Sequence, residues 1–306
     1  MTTSPNKSDA DEQLKGEVRG FWNRQSCDTN ATDQSKFSRA YFEDIEAFRY
    51  ADQPFIHSFA QFSRYRDKRV VEIGFGAGTD FIQWLRAGAI ASGIDLTPEA
   101  LENLKHRIYA YNLPPPESIQ VGDAENLPFA DGTFDLGYSF GVLHHTPDTE
   151  RSLRELVRVV KPGGEIKVML YNRHSMLAFK LWAKYALGRG KFWRSLAYVM
   201  FHHLESKGTK GYTRCELRSV LGALPLEDVR VRTEITSADY LAFSKVKPVN
   251  LICRAMLRLV GDQRDWLREE YVTETDVPKP LKRSEISFSG NRLGWFHCIR
   301  AVKKHA

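Results

Sequence analysis

The run Val71-Glu72-Ile73-Gly74-Phe75-Gly76-Ala77-Gly78-Thr79 constrains this chain more than any other stretch. Residues 70–73 read as a strand, glycine then recurs at every second position, and helical patterning begins at Asp80. Without a Cβ the backbone at Gly74, Gly76 and Gly78 can turn tightly and press against a ligand at a helix N-terminus. About 20 residues further on, Asp95 ends the next strand-like run, the position where a carboxylate can accept hydrogen bonds from both hydroxyls of a ribose. The pair points to a nucleotide-type ligand and leaves its identity open. A dinucleotide fingerprint from Gly74 requires glycine at position 79, and the chain has Thr79 there with an extra glycine at Gly78. That weakens the dehydrogenase reading. A glycine-rich turn with no ligand is the remaining alternative, and a carboxylate at the expected distance argues against it.

Around this motif short apolar strands alternate with helices, the signature of a parallel sheet covered on both faces. Strands are predicted at 70–73, up to Ile94, at 119–121, 134–139 and 165–171, with helices at 80–87, 98–111 and 149–160 between them. Pro114, Pro115 and Pro116 punctuate one connection, and Lys161, Pro162, Gly163 and Gly164 another. Beyond Tyr171 the alternation breaks, and 176–187 and 192–204 read as two helices. Residues 229–235 and 295–302 read as the last two strands. The expected fold is doubly wound α/β, with an N-terminal helical cap over 18–66 and a main domain over 67–306. Helical insertions are expected at about 174–222 and 237–290. Residues 1–17 are polar and carry too little apolar surface to offset ordering entropy, so they are expected to be disordered.

Three further segments carry a resemblance. Gly122-Asp123-Ala124-Glu125-Asn126-Leu127-Pro128-Phe129, the run from Phe134 through Ser139-Phe140-Gly141-Val142-Leu143 to His144-His145, and Arg158-Val159-Val160-Lys161-Pro162-Gly163-Gly164 resemble the class I S-adenosylmethionine-dependent methyltransferases. The flavour is that of the small-molecule group with the quinone and sterol methyltransferases, and the likeness covers about Arg69 to Tyr171. It implies a Rossmann-like sheet of seven strands, mostly parallel with the last antiparallel, and S-adenosyl-L-methionine as cofactor. It further implies that Glu72 and the loop Gly74, Gly76, Gly78 face the methionine end, that Asp95 holds the ribose, and that the adjoining Leu96 also belongs to the cofactor-binding set. Asp123 and Ala124 border the adenine, and Ser139 and Phe140 offer backbone carbonyls to the ammonium group. A competing role for Asp123 is capping the turn that follows it.

Methyl transfer by in-line displacement needs positioning and exclusion of water more than a dedicated base. If the acceptor is a hydroxyl that must lose a proton, His144 and His145 at the mouth of the fourth strand are the candidate catalytic residues. Packing on the cofactor and capping of the next helix compete with that role. The aromatic residues Phe21, Trp22, Tyr41, Phe42 and Tyr50 fit either a lid over the cofactor or core packing. Lys180, Lys184 and Lys191 fall near one helical face opposite Leu177, Leu181 and Trp182. They read as a solvated face or as a membrane-surface helix delivering a lipid-like acceptor. Thr213 and Glu216 have capping-box spacing.

Composition closes off other classes. With 306 residues and 42% hydrophobic content the chain can bury a sizeable core without staples. Cys27, Cys215, Cys253 and Cys298 lie far apart without metal-site spacing and read as reduced thiols, so no metal is expected. No signal-like start and no run near the roughly 18 apolar residues of a spanning helix point to a cytoplasmic protein, with peripheral membrane contact left open. The net charge of +6 permits contact with phosphates. Ser139-Phe140-Gly141-Val142-Leu143, where amino-base methylating enzymes carry Asn/Asp-Pro-Pro-Tyr/Phe, argues against a nucleic-acid substrate. A small-molecule or lipid-like acceptor is the expected partner. A non-catalytic module that only binds the cofactor is the main rival.

Overall fold

A computed structural model describes residues 7–240, 242, 245, 247–259 and 286–305. Its centre is a sheet of eight strands: β1 Arg69–Ile73, β2 Ile90–Asp95, β3 Ser118–Val121, β4 Phe134–Phe140, β5 Val160–Tyr171, β6 Leu226–Glu234, β7 Ile286–Gly290 and β8 Phe296–Lys303. Their spatial order is β3-β2-β1-β4-β5-β8-β6-β7. Strands β1 to β5 pair in parallel, β8 runs antiparallel between β5 and β6, and β6 pairs with β7 in parallel. The doubly wound architecture is as the sequence implies, with one strand more than the seven expected. Strand β7 falls inside the insertion predicted as helical over 237–290. Its Ile286 and Phe288 pack with the main core as next-but-one neighbours on one face, a period of two that helical patterning cannot supply. Residues 260–285 of that insertion lie outside the described residues.

Period-two alternation assigns the two faces. Val70, Leu136 and Tyr138 join Phe81 and Trp84 on one side, while Val71 and Ile73 join Leu153, Leu156 and Leu217 on the other. The covering helices are α4 Phe81–Ala87, α5 Pro98–Ala110, α6 Thr149–Val159 and α9 Arg214–Gly222. Helix α5 begins where Thr97 accepts from the Ala100 amide with Pro98 at the first turn, and α6 where Asp148 accepts from Arg151. The capping box of Thr213 and Glu216 is present. The predicted turn at 161–164 is an irregularity within β5, whose pairing with β4 jumps from Phe134↔Val160 to Leu136↔Glu165.

The N-terminus departs from expectation. Residues 7–17, expected to be disordered, belong to helix α1 Lys7–Arg24. Tertiary partners override the weak local composition: Lys15 reaches Asp123 at 2.7 Å and Glu125 at 3.3 Å, and Val18 is buried. Helices α2 Arg39–Asp52 and α3 Ile56–Ala60 follow. Arg107 of α5, fully buried, joins α2 to the glycine loop by donating to the carbonyls of Phe42 and Ala77 and to Thr79 Oγ1. After β5 come α7 Met176–Tyr185 and α8 Leu196–His203, and after β6 come α10 Ser237–Tyr240 and α11 Lys247–Leu259.

Candidate active site

Strands β1, β2, β3 and β4 all end at one edge of the sheet, where the order reverses between β1 and β4. Open α/β sheets form ligand crevices at such points. A cleft of about 1290 Å³, measured out to its open mouth, lies there. Glu72, Gly74, Gly76, Asp95, Leu96, Asp123, Ala124, Phe140 and His145 all line it. Gly78, Ser139 and His144 do not. Gly78, at a φ of +76°, sits against Leu104, where an added Cβ would come within 2.7 Å of Cδ1. Ser139 is fully buried and donates its hydroxyl to the Ile73 carbonyl at 3.0 Å, tying β4 to β1.

The loop after β1 bends through left-handed conformations at Gly74 and Gly76. At Gly76 the nearest neighbour to an added Cβ is Cys27 at 3.8 Å, so the bare backbone faces open cleft. Asp95 fixes that loop from β2: Oδ2 accepts from the Gly76 amide at 3.0 Å, and Oδ1 accepts from the amide and hydroxyl of Thr97, each at 2.9 Å. Burial nevertheless raises its carboxyl above the ordinary range. Asp123, after β3, accepts from the Glu125 amide at 2.9 Å and from Lys15 at 2.7 Å. It therefore caps its own turn while keeping a place in the cleft wall. Burial disfavours the Lys15 ammonium, and its hydrogen bonds to Asp123 and Glu12 reverse that and lift its pKa above the usual value.

Beneath the glycine loop lies a buried network that the sequence pattern did not reveal. Arg49 of α2 holds Asp80 through Nε at 3.0 Å and Nη2 at 2.7 Å, and reaches Asp28 at 3.3 Å. Tyr50 and Tyr138 also donate to Asp80, at 3.1 and 2.9 Å. Although burial pushes the Asp80 carboxyl up, Arg49 and these hydroxyls hold it below the ordinary range. Glu72 moves the opposite way: burial and the neighbouring Asp80 charge raise it well above the usual value, and it accepts from Trp84 Nε1 at 2.8 Å. One carboxylate is thus ionised and paired, and its neighbour favours the neutral form.

The far end of the cleft differs in chemistry. Phe140, Met169, Tyr171 and Phe296 wall it, and Trp22 of α1 meets His145 edge-on with ring centroids 5.2 Å apart. Of the five N-terminal aromatics, Trp22 takes this cleft position, whereas Tyr41 and Phe42 pack under Ala77. His145 is buried, and its Nδ1 lies 2.9 Å from Thr209 Oγ1 and 3.1 Å from Ser206 Oγ. Its Nε2 is 3.5 Å from Glu205. Burial and nearby Lys210 lower the His145 pKa to about 3, so its ring is neutral. His144 is fully buried with its ring 3.8 Å from that of Tyr171, and burial takes its pKa well below the ordinary value.

Glu205, in the connection after α8, was not singled out from the sequence because no local motif marks it. Its carboxylate accepts from the Tyr171 hydroxyl at 3.1 Å and keeps 35% of its side chain accessible where it borders the cleft. Burial raises its pKa to about 7 against the opposing Tyr171 hydrogen bond.

The residues at the other end fit a sulfonium nucleoside. One carboxylate ends β2, another opens the loop after β3, and bare glycine backbone lies between them, a set able to receive the hydroxyl and amine donors of a nucleoside. Known proteins agree. Residues 71–168 match the family described as a methyltransferase domain. The chain is 40% identical over 102 residues to a demethylmenaquinone methyltransferase from Corynebacterium kroppenstedtii, 33% of this chain and 41% of that protein. It is 36% identical over 112 residues to the chloroplast tocopherol O-methyltransferase of Arabidopsis thaliana, 36% of this chain and 32% of that one. It is 29% identical over 158 residues to norajmaline N-methyltransferase from Rauvolfia serpentina, 51% of each. The matched part thus spans a third to a half of these curated relatives. Among solved structures, phosphoethanolamine N-methyltransferase 2 of Haemonchus contortus, held with S-adenosylhomocysteine, superposes with a TM-score of 0.53 at 15% identity, covering 94% of this chain and 61% of that one. A Haloferax volcanii chain from a complex with the Trm112 methyltransferase activator gives 0.56 at 16%, covering 94% and 98%. At such identities they show the fold.

Sheet, cleft and family match agree on the class: residues 71–168 match a methyltransferase domain, and the sheet around them has the fold of solved methyltransferases. The curated relatives named above belong to the quinone, tocopherol and alkaloid methyltransferases, the small-molecule branch of that class.

Proposed function

We propose that this chain transfers a methyl group from S-adenosylmethionine to a small, lipid-like acceptor. The observation that carries this is a single cleft with two chemistries: acceptors for a nucleoside at the ends of β2 and β3, and an aromatic chamber around Tyr171 and Phe296 beyond them. When bound, S-adenosylmethionine supplies a sulfonium methyl whose carbon takes a lone pair from the acceptor while the carbon–sulfur pair leaves on sulfur. Asp95 and Asp123 hold the nucleoside in this reading, and Glu72 and the Gly74–Gly78 loop bound its methionine end. Ser139 acts by bracing β4 against β1, and Phe140 lines the boundary between the two ends.

At the acceptor end, Glu205 as carboxylate takes the proton of an acceptor hydroxyl or ammonium and passes it to solvent. His145, neutral and fixed by Thr209 and Ser206, orients the acceptor. His144 packs behind Tyr171. The shared small-molecule theme of the relatives supports this acceptor class, and nothing on the cleft favours a module that only binds the cofactor. The test is a screen of metabolite and lipid extracts with isotopically labelled S-adenosylmethionine, reading which compound gains mass. A labelled small molecule is expected. Label transferred only to nucleic acid or to protein would refute the reading.

A further inference from the structure

From Ile166 to Leu204 the chain contains no Asp or Glu, while Lys180, Lys184, Arg189, Lys191 and Arg194 fall between residues 174 and 204. In a chain of net charge +6, this hairpin of α7 and α8 is therefore a concentrated, internally uncompensated positive patch. It is also unusually apolar on its outside. Phe192 is 66% and Trp193 70% exposed, in a loop whose shape is fixed by Trp182 donating to the Arg194 carbonyl at 2.7 Å. Large apolar side chains held out to water beside basic groups mark an interaction surface rather than a solvated face.

A second element repeats the pattern. Helix α11 exposes Leu251 at 72% and Leu259 at 84%, with Ile252 and Met256 beside them, flanked by Lys245, Lys247 and Arg258. No acidic residue occurs between Tyr240 and Gly261. The two elements are neighbours: Met176 at the start of α7 and Cys253 of α11 share one buried cluster with Ile235 and Ala242. At 10, 8 and 13 residues, helices α7, α8 and α11 are far short of the roughly 20 needed to cross a bilayer.

We propose that the α7–α8 hairpin and α11 together dock this protein on the surface of an anionic lipid bilayer, with Phe192, Trp193 and the exposed face of α11 entering the interface. Amphipathic segments of this kind lie in the plane of the membrane, held by buried apolar area and by attraction of Lys and Arg to acidic headgroups. Tryptophan favours that boundary. A second copy of the chain fits less well, because a two-fold contact would set this positive patch against itself. The inference goes beyond methyl transfer and would stand without it. The hairpin is flanked by Tyr171 at the end of β5 and Glu205 after α8, both lining the cleft, so docking would bring the acceptor end towards lipid.

The test is flotation of the full chain with phosphatidylcholine vesicles, and with vesicles in which roughly one-third of the lipid is phosphatidylglycerol, at low and high salt. Parallel titration with S-adenosylhomocysteine reports the cofactor site separately. Wild type should float with the anionic vesicles at least about ten-fold better than with neutral ones, and lose this in high salt. Lys191→Glu with Arg194→Glu should reduce anionic binding by roughly five-fold per charge or more. Phe192→Ser with Trp193→Ser should lower binding to a similar degree at both salts while S-adenosylhomocysteine still binds. If either pair disturbs folding, Leu251→Ser with Leu259→Ser makes the same test from α11. No flotation of wild type, equal flotation with neutral vesicles, or variants that float like wild type would overturn the proposal. So would a wild-type dimer that the same substitutions dissociate.

Discussion

The two ends of the cleft are built in different ways. The proposed nucleoside end takes its parts from the ends of β1, β2 and β3 and the loops that follow them, so Gly76, Asp95 and Asp123 each sit within three residues of a strand end. The proposed acceptor end collects Trp22 from α1, His145 from the loop after β4, Tyr171 from the end of β5, Glu205 from the connection after α8 and Phe296 from β8. A strand-end loop is placed by the sheet itself, and its chemistry varies little in position. The assembled chamber is placed by packing among distant segments, which is where one fold can be adapted to different acceptors.

The comparison can be broken at either end. The largest effect on stability is expected from Arg49→Met, which leaves Asp80 buried without its counter-ion and should cost about 3–5 kcal/mol in urea unfolding. A cost under about 1 kcal/mol would mean that the N-terminal helices are not tied to the nucleoside end through this pair. Next, Asp95→Ala should weaken S-adenosylhomocysteine binding by about 100-fold or more, close to 2.7 kcal/mol, in calorimetry. Unchanged affinity would remove the β2 carboxylate from the site.

Glu205→Gln sharpens the contrast. It should leave S-adenosylhomocysteine affinity within about two-fold and slow methyl incorporation by about 100-fold, the scale of a lost general base. In wild type the rate should rise with pH through about 7, since Glu205 serves as a carboxylate and is protonated below that pH. His145, with a pKa of about 3, is neutral throughout and contributes no limb in that range. A variant that keeps the wild-type pH profile would return the proton to solvent alone. The smallest effect is expected from Lys15→Ala: a few-fold loss of S-adenosylhomocysteine affinity and faster proteolysis within α1, read by mass spectrometry.

The same contrast explains what the sequence made legible. The strand-to-helix turn at 71–79, Asp95 and the alternation up to Tyr171 are local signals, each readable from spacing alone. A motif does not tell which side of Gly78 or Ser139 packs on the protein: Gly78 sits against Leu104, and the Ser139 hydroxyl, at the end of β4, donates to the Ile73 carbonyl. The first turns of helix α1, Lys7 to Glu17, read as disordered from the sequence because their order depends on Lys15 meeting Asp123, 108 positions away. Arg49 with Asp80, and Glu205 with Tyr171, escaped for the same reason: each pair exists only once the chain has closed on itself. Strand β7 adds an eighth member to the sheet from Ile286-Ser287-Phe288-Ser289, an alternation too short to stand out within the stretch read as an insertion.

The most direct test of the account is calorimetric titration of the wild-type chain with S-adenosylhomocysteine and, separately, with a pyridine dinucleotide. Saturable heat with the first and none with the second is the expected result. Tight binding of the dinucleotide with no heat from the demethylated donor would contradict the central claim that the bend after β1 and the carboxylate ending β2 enclose a sulfonium nucleoside.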